Sequence, residues 1–278
     1  MGAMDVKGLT FAKGHGTGND FVLLPDPDGE LALSDADVAA LCDRRRGLGG
    51  DGLLRVVRTR AVPEVAAHAS EAEWFMDYRN ADGSLAEMCG NGVRVYARYL
   101  VESGLVDATS VAILTRAGRV VAEIGPEVIA VDMPVPSVAG ASVARLSTVE
   151  FPGTVATCGN PNLVCWVSGA EELAALDLRD APALDREALP AGANVEFLSP
   201  VADRHVRMRV VERGVGETLS CGSGACAAAA VVLRDAGTAA GTVLVDVPGG
   251  RLSVTIGDGR CVLAGPAVIV ATGTVSVP

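Results

Sequence analysis

The sequence predicts an α/β (α+β) protein made of two related halves. Three observations carry this. Strand-like and helix-like segments alternate along the chain, no low-complexity linker interrupts them, and one short motif recurs in the same setting about half a chain apart. The 278 residues are 49% hydrophobic, enough for a large core in one domain or two.

Read in order, Phe21 to Leu24, Leu53 to Val57 and Glu73 to Tyr78 predict strands, being rich in β-branched or aromatic residues and bounded by Gly, Pro, Asp or Asn. Ser34 to Arg44 predicts a helix, with Ser34 as N-cap and Asp35 and Asp37 well placed in its first turn. Arg44, Arg45 and Arg46 then suit its C-terminal end. Thr59 to Ser70 is Ala-rich and aperiodic and reads as a loop. Gly92 to Val101 predicts a second helix, followed by strands at Val111 to Leu114 and Val128 to Met133. Pro134-Val135-Pro136 marks the best boundary. Beyond it, Leu163 to Val167, Val206 to Val211, Thr242 to Val247 and Leu252 to Ile256 read as strands, and Gly224 to Ala236 as a helix.

Composition excludes several function classes. A net charge of −11 disfavours nucleic acid, whose phosphates need a basic surface. Lys7 and Lys13 are the only lysines, so a pyridoxal phosphate Schiff base has just two possible anchors, and no GxxxxGK[ST] phosphate loop can be written. His15, His68 and His205 lie far apart without ligand spacing, so no metal is expected. Seven cysteines, an odd number, read as reduced thiols rather than a disulfide framework. The opening Met1 to Phe21 lacks the layout of a secretory signal and no apolar run reaches the roughly 18 residues of a membrane span. A cytoplasmic protein with no membrane or nucleic-acid partner is expected.

The recurring motif is C-G-[NS]-G at a helix start: Cys89-Gly90-Asn91-Gly92 and Cys221-Gly222-Ser223-Gly224. Asn80 and Glu212 stand at matching positions upstream, and Gly18-Asn19 echoes Gly159-Asn160. At a helix N-terminus the first-turn amides lack intrahelical acceptors, which suits a bound carboxylate and favours thiolate over thiol. Two equivalent halves facing each other would set the two cysteines on opposite sides of one cleft. That geometry suits inversion at a stereocentre, one thiolate removing a proton while the opposed thiol delivers another. Each feature also has a plainer reading. An isolated cysteine is often an inert core residue, and Cys42, Cys158, Cys165, Cys226 and Cys261, without such flanks, are expected to pack in the core. Asn-Ala-Asp-Gly at Asn80 is ordinary turn material, and Glu212 with Arg213 would serve as a surface ion pair. His15 fits a structural turn as well as a site. Gly47 to Gly52 matches GxGxxG, but helix-loop-strand is the wrong order for a dinucleotide site.

Taken together, Lys13 to Phe21, Asn80 to Ser84, Met88 to Gly92, Gly159-Asn160-Pro161, Glu212 to Thr218 and Ser220 to Gly224 resemble the diaminopimelate epimerase family, relatives of proline racemase, in the family's order and over nearly the whole chain. The resemblance implies two pseudo-symmetric halves, each a curved, mostly antiparallel sheet around a central helix. Residues 1–132 with 266–278 would carry Cys89, and residues 133–265 would carry Cys221. It implies a cofactor-independent isomerase, a possible homodimer, interconverting L,L- and meso-diaminopimelate with Cys89 and Cys221 as acid–base pair. Asn19, Asn80, Asn160, Asn194, Glu212 and Arg213 would contact substrate, and Gly90-Asn91 and Gly222-Ser223 would offer backbone donors to its carboxylate. Relatives usually carry His after Gly-Asn-Pro, where this chain has Asn162, an amide that cannot titrate. Two alternatives stay open: a two-thiol racemase acting on another amino acid, and a thiol redox or cysteine-nucleophile protein.

Overall fold

The computed structural model describes residues 8–276, so Met1 to Lys7, Val277 and Pro278 lie outside the described residues. The chain divides into two compact units, residues 8–131 with 266–276 and residues 132–265. The first stretch carries β1 (Thr10–Gly16), β2 (Asn19–Pro25), α1 (Asp35–Cys42), β3 (Gly52–Arg58), β4 (Trp74–Asn80), α2 (Gly90–Glu102), β5 (Ser110–Thr115), β6 (Gly118–Ile124) and β7 (Val128–Met133). The second carries β8 (Ser137–Leu146), β9 (Val149–Cys158), β10 (Asn160–Trp166), α3 (Ala170–Ala175), β11 (Ala183–Leu184), β12 (Asn194–Ala202), β13 (His205–Glu212) and β14 (Gly216–Thr218). It continues through α4 (Gly222–Asp235), β15 (Gly241–Val247), β16 (Gly250–Gly257) and β17 (Arg260–Pro266), before β18 (Val268–Thr274) returns to the first unit.

Pairing shows the duplication directly. Along β18-β1-β2-β3-β4-β5-β6-β7, successive neighbours run antiparallel, antiparallel, parallel, antiparallel, parallel, antiparallel and antiparallel. Along β8-β9-β10-β12-β13-β15-β16-β17 the second unit repeats that series step for step. Each sheet curls around one helix: α2 packs on β18 and β1 through β6, and α4 on β8, β9, β10, β12, β15 and β16. The two pseudo-symmetric halves are thus each a mostly antiparallel sheet around a central helix.

Both central helices are buried on nearly every side, which a one-faced helix could not tolerate. In α2 the cost of burying Arg98 is met by carbonyls: Nε donates to Ala267 O at 3.2 Å, and Nη2 to Gly125 O and Pro126 O at 3.0 Å each. In α4 the run Ala227 to Ala230 combines high helix propensity with a small radius, letting the sheet close tightly. Leu100, Val93, Val95 and Tyr96 from α2 fill the first core with Phe21, Leu54 and Trp74. No helix among the described residues is long and apolar enough to cross a membrane.

The nine expected strands are present with bounds shifted by at most a few residues, and the three expected helices stand at Asp35–Cys42, Gly90–Glu102 and Gly222–Asp235. The first of these ends early, and the arginines do not cap it. Asp43 turns its carboxylate onto the amides of Arg45 and Arg46 at 2.8 Å, closing the chain into a turn across Arg44 to Arg46. Those bonds hold the Asp43 carboxyl down at about 2. The Thr59 to Ser70 stretch contains two short 3-10 turns rather than plain loop. Strands β1, β6, β8, β9, β12 and β17, with the short β11 and β14, escaped sequence reading. In β8 and β9, many small or polar residues leave one face exposed, so no hydrophobic alternation announces them.

All five flank-less cysteines are buried. Leu100→Ala, at a fully buried position of α2, is expected to cost about 2–5 kcal/mol in urea unfolding. A loss under about 0.5 kcal/mol, the range of surface substitutions, would contradict this packing.

Candidate active site

The same local structure places both repeated cysteines. Cys89 is the N-cap of α2, with extended φ −139° and ψ 117°, and its Sγ accepts the Gly92 amide at 3.4 Å. Cys221 is the N-cap of α4, with φ −125° and ψ 119°, and its Sγ lies 3.5 Å from Ser223 Oγ. Gly90 and Asn91, like Gly222 and Ser223, therefore occupy first-turn positions whose amides have no intrahelical acceptor. A bound anion is favoured there by those donors and by the helix dipole.

In the first unit a polar chain leads from the surface to Cys89. The hairpin between β1 and β2 turns on Thr17 and Gly18, at φ 51° and 82°, the double left-handed geometry of a type I′ turn. It delivers Asn19 to the start of β2, where Oδ1 lies 3.6 Å from Cys89 Sγ and 3.3 Å from Asn91 Nδ2. The other end of the Asn19 amide donates to Asp51 Oδ2 at 2.7 Å, so Asp51 orients it with the oxygen toward the thiol. Arg44 ties Asp51 to Asp20 at 2.6 and 2.7 Å, and Lys13 reaches Asp20 at 2.5 Å. Burial works to raise the Asp20 carboxyl, but hydrogen bonds from Arg44 and Lys13 hold it well below the ordinary carboxylate range. Beneath Asn91, buried Arg94 donates to its Oδ1 at 2.9 Å and to Thr17 Oγ1 at 3.2 Å.

In the second unit the neighbours of the thiol are amides and carboxyls. Asn194 Nδ2 lies 3.9 Å from Cys221 Sγ and donates to Asn162 Oδ1 at 3.1 Å. Asn162 donates in turn to the Asn160 carbonyl at 2.7 Å, and Asn194 Oδ1 accepts the Arg213 amide at 3.0 Å. Glu212 accepts from Thr218 Oγ1 at 2.6 Å. Burial, then the charges of Glu212 and Glu196, push the Cys221 thiol well above its ordinary value, against smaller pulls from Ser223 and the Gly224 amide. This corrects the expectation that a helix N-terminus favours the thiolate: at Cys221, desolvation and two carboxyls outweigh it.

The expected residues fall into four groups. Asn19, Gly90 and Asn91 surround Cys89, while Asn194, Gly222, Ser223 and, by charge, Glu212 surround Cys221. Asn160 is tied in through its backbone carbonyl, and Arg213 through its amide, its guanidinium donating to Ala191 O at 3.0 Å. Asn80 sits at the end of β4, accepting from Tyr78 OH at 3.1 Å and donating to Ser84 Oγ at 3.0 Å. Glu212 takes the Thr218 hydroxyl, and the Arg213 guanidinium reaches the Ala191 carbonyl. Asp51, Arg94 and Glu196 went unread in the sequence. Asp51 sits in the Gly-rich loop that matched a dinucleotide fingerprint, and its carboxylate binds Asn19 instead.

Cys89 is half-buried while Cys221 is 5% exposed. Iodoacetamide at neutral pH is therefore expected to alkylate Cys89 first, with Cys221 labelling rising as the pH is raised. Equal rates at neutral pH, read by peptide mass spectrometry, would contradict this environment.

Comparison with known proteins agrees with the architecture. The family model described as diaminopimelate epimerase matches residues 11–138 and 154–277. A diaminopimelate epimerase of Thermobifida fusca is 54% identical over 272 residues, covering 96% of this chain and 98% of its own. One from Corynebacterium glutamicum is 49% identical over 276 residues, covering 97% and 99%. Among solved structures, a phenazine biosynthesis protein of the PhzF family from Bacillus anthracis superposes with TM-score 0.71 at 18% identity, covering 96% of this chain and 98% of its own. A hydroxyproline epimerase from Agrobacterium vitis gives 0.68 at 15%, covering 98% and 94%. These two likenesses concern the fold alone. The family match over most of the length, with relatives near half identical end to end, leaves one assignment: the chain belongs to the diaminopimelate epimerase family.

Proposed function

We propose that the chain is an isomerase that interconverts L,L- and meso-diaminopimelate without a cofactor, using Cys89 and Cys221 as its acid–base pair. The observation that carries this reading is the equivalent placement of the two thiols, each the N-cap of the central helix of its own half. In the proposed reaction one cysteine, as thiolate, takes the α-proton. The other, as thiol, delivers a proton to the opposite face of the α-carbon. The reverse reaction exchanges the roles.

The α-proton of an amino acid is weakly acidic, so charge developing toward the carboxylate must be stabilised by fixed donors. The first-turn amides at Gly90-Asn91 and Gly222-Ser223 are proposed for that task. Glu212 suits the α-ammonium, and Asn19, Asn80, Asn160, Asn194 and Arg213 are assigned to the remaining polar groups of a substrate with two amino-acid ends. Both thiols must stay reduced, which places the proposed reaction in the cytoplasm. A homodimer is the proposed assembly, twofold dimers being the commonest closed form.

Reduced protein incubated with L,L-diaminopimelate is expected to form the meso isomer, resolved by chiral chromatography. Cys89→Ala and Cys221→Ala should each lower kcat/KM by about 10²–10⁴-fold, the range for loss of a positioned acid or base. No turnover by folded, reduced wild type would overturn the substrate, and full activity in either variant would overturn the pair. The alternative substrate class is favoured by one residue, Asn162, and a panel of other amino acids in the same assay decides it.

A further inference from the structure

Glu196 is the least comfortable side chain in the second half. It lies on β12, flanked by β10 and β13, and is 0% exposed. Both carboxyl oxygens are buried without a hydrogen-bond partner. Its neighbours Val195 and Phe197 point to the opposite face of the sheet, into the core with Leu173 of α3. Glu196 therefore faces α4, and a Cβ added at Gly224 would meet its Oε1 at 2.5 Å. The carboxyl is pressed against the first turn of α4, three residues beyond Cys221.

The duplicated fold supplies an internal control. Gly92 stands three residues after Cys89 as Gly224 does after Cys221, and a Cβ at Gly92 would meet Leu54 Cδ2 at 3.5 Å. Leu54 lies two residues beyond Gly52, the partner of Phe21, just as Glu196 lies two beyond Asn194, the partner of Asn162. One half thus fills this position with a leucine, so the fold itself needs no carboxyl there. An unpartnered buried carboxyl costs stability that a leucine would not.

We propose that Glu196 is a positioning residue for the second thiol: while neutral it leaves Cys221 able to ionise, and once it loses its proton it locks Cys221 as the thiol. Its titration then sets the alkaline limit of the reaction. The role rests on the two-thiol reading above. The groups around it are few. Glu212 on β13 and Cys221 at the start of α4 share its field, and Cys165 on β10 feels its charge from the opposite face of the sheet. On α3, Glu171 and Glu172 remain exposed. Burial, then Glu212, pushes the Glu196 carboxyl well above the ordinary range, so the neutral acid persists where an exposed carboxyl would be ionised. Asn162, Asn194 and Ser223, the other side chains about Cys221, have no charge to lose in this range.

The test compares wild type with Glu196→Gln and Glu196→Leu, the second borrowing the residue of the first half. Cys221 ionisation is followed against pH through its Cβ resonance in cysteine-labelled protein, without substrate, alongside the pH profile of kcat/KM. Both variants should move Cys221 titration down by about one pH unit, tenfold in ionisation constant, and, with no carboxyl left to lock the thiol, the alkaline limb of the profile should move to higher pH. Glu196→Leu should melt no lower than wild type. Superimposable Cys221 titrations in folded variants would overturn the proposal. The resonance is read without turnover, so an inactive wild type would overturn the epimerase reading while the titration still judges Glu196.

Discussion

A buried helix leaves the amides of its first turn to be satisfied, and in both halves of this protein a cysteine stands at the N-cap, its sulfur accepting the Gly92 amide in the first half and making no capping hydrogen bond in the second. Sulfur is a weak acceptor, and one thiol cannot answer several donors. The start of each central helix is thus sheltered by the sheet yet still equipped to bind an anion. Much of the surrounding architecture serves this arrangement. The strands curl so that the helix is enclosed, and three residues after each cysteine stands a glycine, which at Gly224 removes the Cβ that would press on Glu196 and at Gly92 leaves room that a Cβ would fill in ordinary contact with Cys89, Leu54 and Phe21.

On this common frame the two halves have diverged in electrostatics. Around Cys89 apolar Phe21 and Leu54 stand beside buried Arg94, bonded to Asn91 and Thr17, and Asn19 is anchored outward by Asp51, Arg44 and Lys13. Around Cys221 the matching positions are Asn162 and Glu196, and the chain of amides runs inward from Arg213 through Asn194. Equal backbones thus hold two thiols in unequal fields. That inequality matters for a reaction in which one group must begin with a proton and the other without.

The sequence made some of this legible and hid the rest for physical reasons. Cys89 and Cys221 were readable because a short Gly-rich motif recurred at two helix starts, and the pairing series of the two sheets carries the same duplication into three dimensions. Strands full of Val, Ile and Leu were readable from composition. Strands β8 and β9 were not, since their small and polar residues give no alternation. Arg44 looked like a helix cap because a linear reading cannot see that Asp20 and Asp51 come together beside it. Glu196 gave no local signal at all. A glutamate between hydrophobic residues reads as the solvent face of a strand, and only the packing of α4 over that face makes it a buried acid.

The central claim is that the proton removed and the proton delivered belong to different thiols, and the isotope distribution at early times tests it most directly. L,L-diaminopimelate would be incubated with the reduced protein in D₂O, and both isomers recovered while conversion is still slight. Two monoprotic bases predict deuterium in the newly formed meso isomer at the inverted carbon, with the unreacted L,L isomer still unlabelled. Deuterium entering both isomers equally from the start, or α-hydrogen carried intact into the product, would contradict the account.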